Sequence, residues 1–130
     1  MILTIDDYTQ IQQLMARYCW LVDEGEGDAW ANLWTSDGSF TGIPEPLQGR
    51  EELRKMPGGF WGISEGKLRH HITNVLVSPG NRDGEAQVKA YSVVNDWRDG
   101  GKPLAFAKVN LTLLREEGSW KIKALHAQML

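Results

Sequence analysis

The chain has 130 residues, 42% of them apolar and 24% charged, with a formal net charge of −3. That length suits one domain with its own core, and the acidic balance excludes a general affinity for nucleic acid or an anionic membrane surface. A lone cysteine, Cys19, excludes an intrachain disulfide; with no basic leader before an apolar run and no stretch of about 18 apolar residues, the expected location is the cytoplasm.

The first predicted element is an amphipathic helix over residues 5–24. Ile11, Leu14, Met15, Tyr18, Leu21 and Val22 recur at the spacing of one helical face. Thr4 followed by Asp7 fits a helix start, with Asp6 and Asp7 at the positive end of the dipole, and "EGEG" at 24–27 ends it. Cys19, among Tyr18, Trp20 and Leu21, reads as a small core hydrophobe. A second helix is expected from Asp28, with Trp30, Leu33 and Trp34 on one face, stopped by "SDG" at 36–38. A strand near 39–43 and a proline-broken loop to Leu47 follow. "GREELRKM" at 49–56 reads as a short helix ended by Pro57, Gly58 and Gly59. The next stretch, "FWGISEG", fixes no element: its Phe60, Trp61 and Ile63 either line a pocket or pack the core.

From Leu68 the apolar period changes from 3.6 to 2. Strands are predicted at 68–77, 85–97, 104–115 and 120–128, separated by "SPGNRDG", "RDGGKP" and "EEGS". Connections this short favour an antiparallel meander. Strands this long in a small sheet must twist and curl, and the N-terminal helices are left to cover the concave face. The layout is therefore α+β, with no internal repeat and no dividing linker.

One strand carries an anomaly. In "KLRHHITNVLV", Leu68, His70, Ile72, Asn74 and Leu76 share a face, which is apolar except for one imidazole and one amide. An imidazole there either works as an acid or base or is a structural histidine bonded to backbone. Asn74 lies roughly 13 Å further along, so it binds a ligand or holds a turn but cannot reach His70. Asp23 is the natural partner for His70. It ends the first helix, where a carboxylate opposes the dipole and needs a hydrogen-bonding or cationic neighbour; an exposed helix-end acid is the alternative. His71 points to the opposite face, and His126 shares strand parity with Trp120, Ile122 and Ala124. Tyr18 belongs to the core stripe with its hydroxyl available to a pocket. Trp20, Trp34 and Trp61 either pack the core or form a flat-walled site. Three histidines without close acids or thiols do not make a zinc site, and no phosphate loop or nucleophile elbow is present. No metal or cofactor is expected.

"RYCWLVD" at 17–23, "DAWANLWTSDG" at 28–38, "GREEL" at 49–53, "RHHITN" at 69–74 and "GSWKI" at 118–122 together resemble the SnoaL-like branch of the nuclear transport factor 2-like superfamily, over essentially the whole chain. The resemblance implies a cone-shaped α+β barrel in which a strongly curved antiparallel sheet wraps a pocket closed on one side by the first helix. Members include polyketide cyclases, scytalone dehydratase, steroid isomerase-like enzymes and a dehydrochlorinase; several use an Asp–His pair without a cofactor. The aspartate of "LVD" corresponds to Asp23 and the histidine of the "RHxxxN" strand to His70. The expectation is a cofactor-free lyase or isomerase acting on a small apolar carbonyl or ring compound. In it His70 is the base and Asp23 its orienter, Tyr18 and Asn74 bind the developing oxyanion, and Trp20, Trp34, Phe60 and Trp61 shape the wall. The resemblance also implies a homodimer or homotrimer formed through the sheet. The competing expectation is a non-catalytic small-molecule-binding or oligomerising module of the same fold.

Overall fold

The computed structural model describes residues 2–130. Helix α1 spans Ile5–Asp23, and its start is the capping box read from the sequence: Thr4 accepts the Asp7 N–H at 3.1 Å and Asp7 accepts the Thr4 N–H at 2.8 Å. The helix buries Ile11, Leu14, Met15, Tyr18 and Val22, each of which stabilises the fold by roughly 1.5–3 kcal/mol. Short helix α2 (Gly27–Ala31) leads into β1 (Trp34–Thr41) and β2 (Leu47–Gln48). Two helices, α3 (Arg50–Leu53) and α4 (Met56–Ser64), precede the long strands β3 (Leu68–Pro79), β4 (Glu85–Asp96), β5 (Lys102–Glu116) and β6 (Ser119–Met129).

The six strands form one sheet in the order β2-β1-β6-β5-β4-β3. The expected meander is there as β3 to β6, each strand antiparallel to the next. Contrary to an all-antiparallel sheet, β1 lies parallel to β6. The sheet curves but does not close into a barrel: β2 and β3 are its two free edges. Helix α1 packs across the concave side, meeting β3 and β6. No helix among the described residues is long and apolar enough to cross a membrane.

Three local expectations are corrected. Trp34 is not on α2; it opens β1, because α2 stops at Ala31. The Trp30 and Trp34 rings still meet edge to face at 5.3 Å, brought together by the chain turning between them. "SDG" stops no helix; it forms an irregularity inside β1, where pairing with β6 jumps from Trp34–Ile122 to Ser39–Ala124. Pro57 begins a helix rather than ending one, since a proline in the first turn has no intrahelical N–H to forfeit.

Two bulges decide which side chains face inward. In β3 the register to β4 slips between Thr73 and Leu76, with Asn74 in the left-handed region at φ 56°. Beyond it the parity reverses: Val75 and Val77 pack on the core, while Leu76 is 64% exposed. In β6 the register slips opposite Thr112 and Leu113, so Ile122 and then Leu125 and Ala127 point inward. His126, whose parity with Trp120 and Ile122 suggested an interior position, is therefore on the outer face. There it bonds the Thr41 hydroxyl through Nδ1 at 2.8 Å.

Candidate active site

Asp23 is the last residue of α1 and His70 the third of β3. The strand runs past the helix end, and Asp23 holds it at three points. Both carboxylate oxygens accept the His70 backbone N–H, each at 3.0 Å, and Oδ1 meets Nδ1 of the imidazole at 2.7 Å. Each side chain is only 9% exposed. The helix dipole disfavours an anion at this end by about 0.3–1 kcal/mol; three hydrogen bonds offset that. With Nδ1–H donated to the carboxylate, Nε2 is the atom left to accept a proton.

His70 lines a cavity of about 170 Å³ between α1, α4 and the sheet. Its walls are almost wholly apolar, with Leu68, Val94, Ala107, Val109 and Ala127 from four strands. The Phe60 ring stands edge-on to the imidazole, with centroids 5.6 Å apart. Besides His70, two polar side chains line the space, Tyr18 and Ser92. Neither hydroxyl, nor Nε2 of His70, has a hydrogen-bond partner among the described residues. Burial pushes the Tyr18 phenol well above its ordinary pKa, with Cys19 and Asp23 adding to the effect, so it stays a donor at neutral pH. No cluster of three or more potential metal ligands occurs among the described residues.

The predicted wall is partly here and partly elsewhere. Phe60 lines the cavity. Trp34 does not: it is fully buried in an aromatic cluster with Tyr18, Trp30 and Phe40. Trp20 is 68% exposed on the outer side of α1. It lines a second cavity of about 210 Å³ together with Cys19, Asp23, Glu24, Arg69, His70 and His71. Trp61 is half exposed and packs on two glycines; a Cβ on Gly66 would stand 2.7 Å from its indole nitrogen. Asn74 is exposed at the β3 bulge and lines no part of the cavity. Sequence reasoning missed Ser92. The same alternation that exposed His70 finds it: Ala86, Val88, Ala90, Ser92 and Val94 share a face of unbroken β4, and Ser92 is its one hydroxyl. Burial raises the Cys19 thiol to about 11, opposed by the neighbouring Ile72 N–H, which keeps it a protonated, packed thiol at neutral pH.

Residues 3–126 match the SnoaL-like domain. The chain belongs to the SnoaL-like family. Among solved structures this SnoaL-like protein is similar to a Nostoc punctiforme protein of unknown function with a cystatin-like fold. The two are 25% identical, with a TM-score of 0.87, covering 100% of this chain and 96% of that one. An NTF2-like protein from Novosphingobium aromaticivorans is 22% identical, with a TM-score of 0.87 over 97% of this chain and 83% of its own. A second protein from that organism, whose name proposes a scytalone dehydratase, is 18% identical, with a TM-score of 0.82 over 97% and 85%. The latter two likenesses speak for the fold. No functionally curated protein matches the SnoaL-like chain.

Proposed function

We propose that this SnoaL-like protein is a cofactor-independent lyase or isomerase, of dehydratase or cyclase type, that removes a proton from a small apolar carbonyl or ring compound. One observation carries the reading: the 2.7 Å hydrogen bond between Nδ1 of His70 and Asp23, at the wall of an apolar cavity. Nε2 takes the proton from the carbon beside the carbonyl. The electron pair moves onto the carbonyl oxygen, and Asp23 stabilises the imidazolium formed. The Tyr18 hydroxyl, protonated and unpartnered, donates to the enolate oxygen. Ser92 takes the oxyanion-binding place that sequence reasoning gave to Asn74. The enolate then either expels a leaving group from the β-carbon or is reprotonated elsewhere by the imidazolium. Phe60 supplies the apolar wall against the imidazole. SnoaL-like membership supports this class of chemistry, and a cytoplasmic setting belongs to the same reading.

The test is hydrogen–deuterium exchange beside the carbonyl of small ring ketones, followed by NMR in D₂O. The wild-type protein catalyses exchange, and His70→Ala loses it by about 10²–10⁴-fold while keeping its circular dichroism spectrum. A wild-type protein that exchanges none of these ketones, or a variant as active as wild type, refutes the reading.

A second reading rests on the His70 amide. Asp23 clamps that N–H with both oxygens, a bracing job that needs no chemistry and suits a binding or oligomerising module. For either reading we place the dimer or trimer contact on the outer sheet face, where Tyr91 and Phe106 meet at 5.2 Å and Phe106 is 41% exposed.

A further inference from the structure

The cavity beside His70 measures about 170 Å³. That is close to the size of apolar protein cavity, about 150 Å³, that accepts one benzene. A single six-membered ring suits such a space.

The cavity is also not isolated. Ile43, Met56, Phe60 and Met129 line both it and a wider trough of about 620 Å³. Leu47 and Pro44 continue the trough's apolar wall. Two of the four shared residues are methionines, whose flexible thioethers adapt to ligands of different outline. The cavity is also lined by Tyr18, Ser92 and His70, whose two hydroxyls and Nε2 have no hydrogen-bond partner among the described residues. Tyr18 is only 5% exposed; among the described residues the buried side-chain atoms wholly without a partner are the Trp30 and Trp34 indole nitrogens, so the Tyr18 hydroxyl keeps access to open space, where a ligand oxygen can accept its hydrogen bond. The polar groups of the cavity are Tyr18, Ser92 and His70, and the trough it opens into offers mostly apolar room, although Glu45, Glu52 and Lys55 also line it.

We infer that the substrate is a single six-membered ring with one oxygen substituent and an apolar chain. The ring fills the cavity with its oxygen at Tyr18, Ser92 and His70. The chain leaves past Met56 and Phe60 and lies in the trough against Leu47. This rests on the reading above that the cavity is the substrate site, and it adds the substrate's size and shape, with Ser92 as a polar contact.

The test is calorimetric titration of the full chain with phenol and 4-alkylphenols from methyl to octyl, which present a flat ring with one oxygen. Affinity is expected to rise about fourfold per methylene until the trough is full. Ser92→Ala weakens every member of the series by a similar factor, about fivefold to tenfold. Leu47→Arg flattens the dependence on chain length; should it not fold, Leu47→Gln reads the same slope. Affinity independent of chain length, a slope unchanged by both Leu47 variants, or no binding anywhere in the series overturns the proposal. The readout does not require turnover. A flat series with ketone exchange intact refutes this substrate shape and leaves the proposed chemistry standing. A rising series without exchange refutes the chemistry and supports the ligand class.

Discussion

Helix α1 carries a buried aspartate near each end, and the two live in opposite surroundings. Asp7 sits in the first turn, where the helix dipole favours an anion. It closes the capping box with Thr4, pairs with Arg115 and accepts the Trp120 indole N–H at 3.2 Å. The Thr4 backbone N–H is the main influence holding its pKa below the ordinary carboxylate range, against the effect of burial. Asp23 sits in the last turn, where the dipole disfavours it. It faces no arginine or lysine among its hydrogen-bond partners, only one amide and one imidazole at the edge of a cavity. One end of the helix is arranged for stability. The other accepts an electrostatic cost where an adjacent proton acceptor has open space before it.

The comparison is broken most directly at Asp23. In Asp23→Asn the amide can present its own N–H to Nδ1, which moves the ring proton to Nε2 and removes the acceptor. Ketone exchange is expected to fall by about 10²–10⁴-fold, with a smaller loss of stability than the matching change at Asp7. A variant that melts early but exchanges normally would make Asp23 a brace and nothing more. Asp7→Asn should do the reverse: unfolding in urea is expected to show a loss of about 2–3 kcal/mol, with exchange unchanged below the melting range. The pH dependence sharpens this. The Asp7 pKa is lowered in the folded chain, so its contribution is full above the unfolded value near 3.9 and is lost as pH falls through the lower folded value. The stability gap between wild type and Asp7→Asn should therefore hold at neutral pH and close on acidification below about pH 4. A gap that widens in acid would contradict the assignment.

Both aspartates were legible in the sequence, for the same reason: a helix end is a local electrostatic statement, readable from spacing and caps. His70 was legible because alternation holds along the first half of β3. Alternation fails at a bulge, and the bulges in β3 and β6 each misdirected a residue. Asn74 reversed the parity of β3 and placed itself outside, and the extra residue in β6 sent His126 outward. Trp34 was grouped correctly with Trp30, yet on the wrong element, because a turn between two elements can restore the proximity that helical spacing would have given. A pocket was implied only by the family resemblance, and its size was not legible at all. Its volume is what remains after small residues such as Ala105, Ala107 and Ala127, distant in sequence, meet α1 and α4, and no local pattern encodes that difference.

The smallest expected effect bears on whether Asn74 belongs with the site or with the frame. Its φ of 56° is a conformation that glycine adopts freely, asparagine tolerates and a β-branched residue resists. If its task is to turn β3 so that Val75 and Val77 face inward, only backbone tolerance matters. Asn74→Gly should then stay within about 0.5 kcal/mol of wild type, and Asn74→Val should lose about 1–2 kcal/mol in urea unfolding. Ketone exchange should survive in both, since His70 lies four residues upstream of the bulge and keeps its hold on Asp23. An Asn74→Gly protein as stable as wild type but as inactive as Asp23→Asn would return the amide to the substrate site. The bulge would then serve to aim a side chain, and the division between a stability end and a chemistry end of the molecule would have to be redrawn along β3.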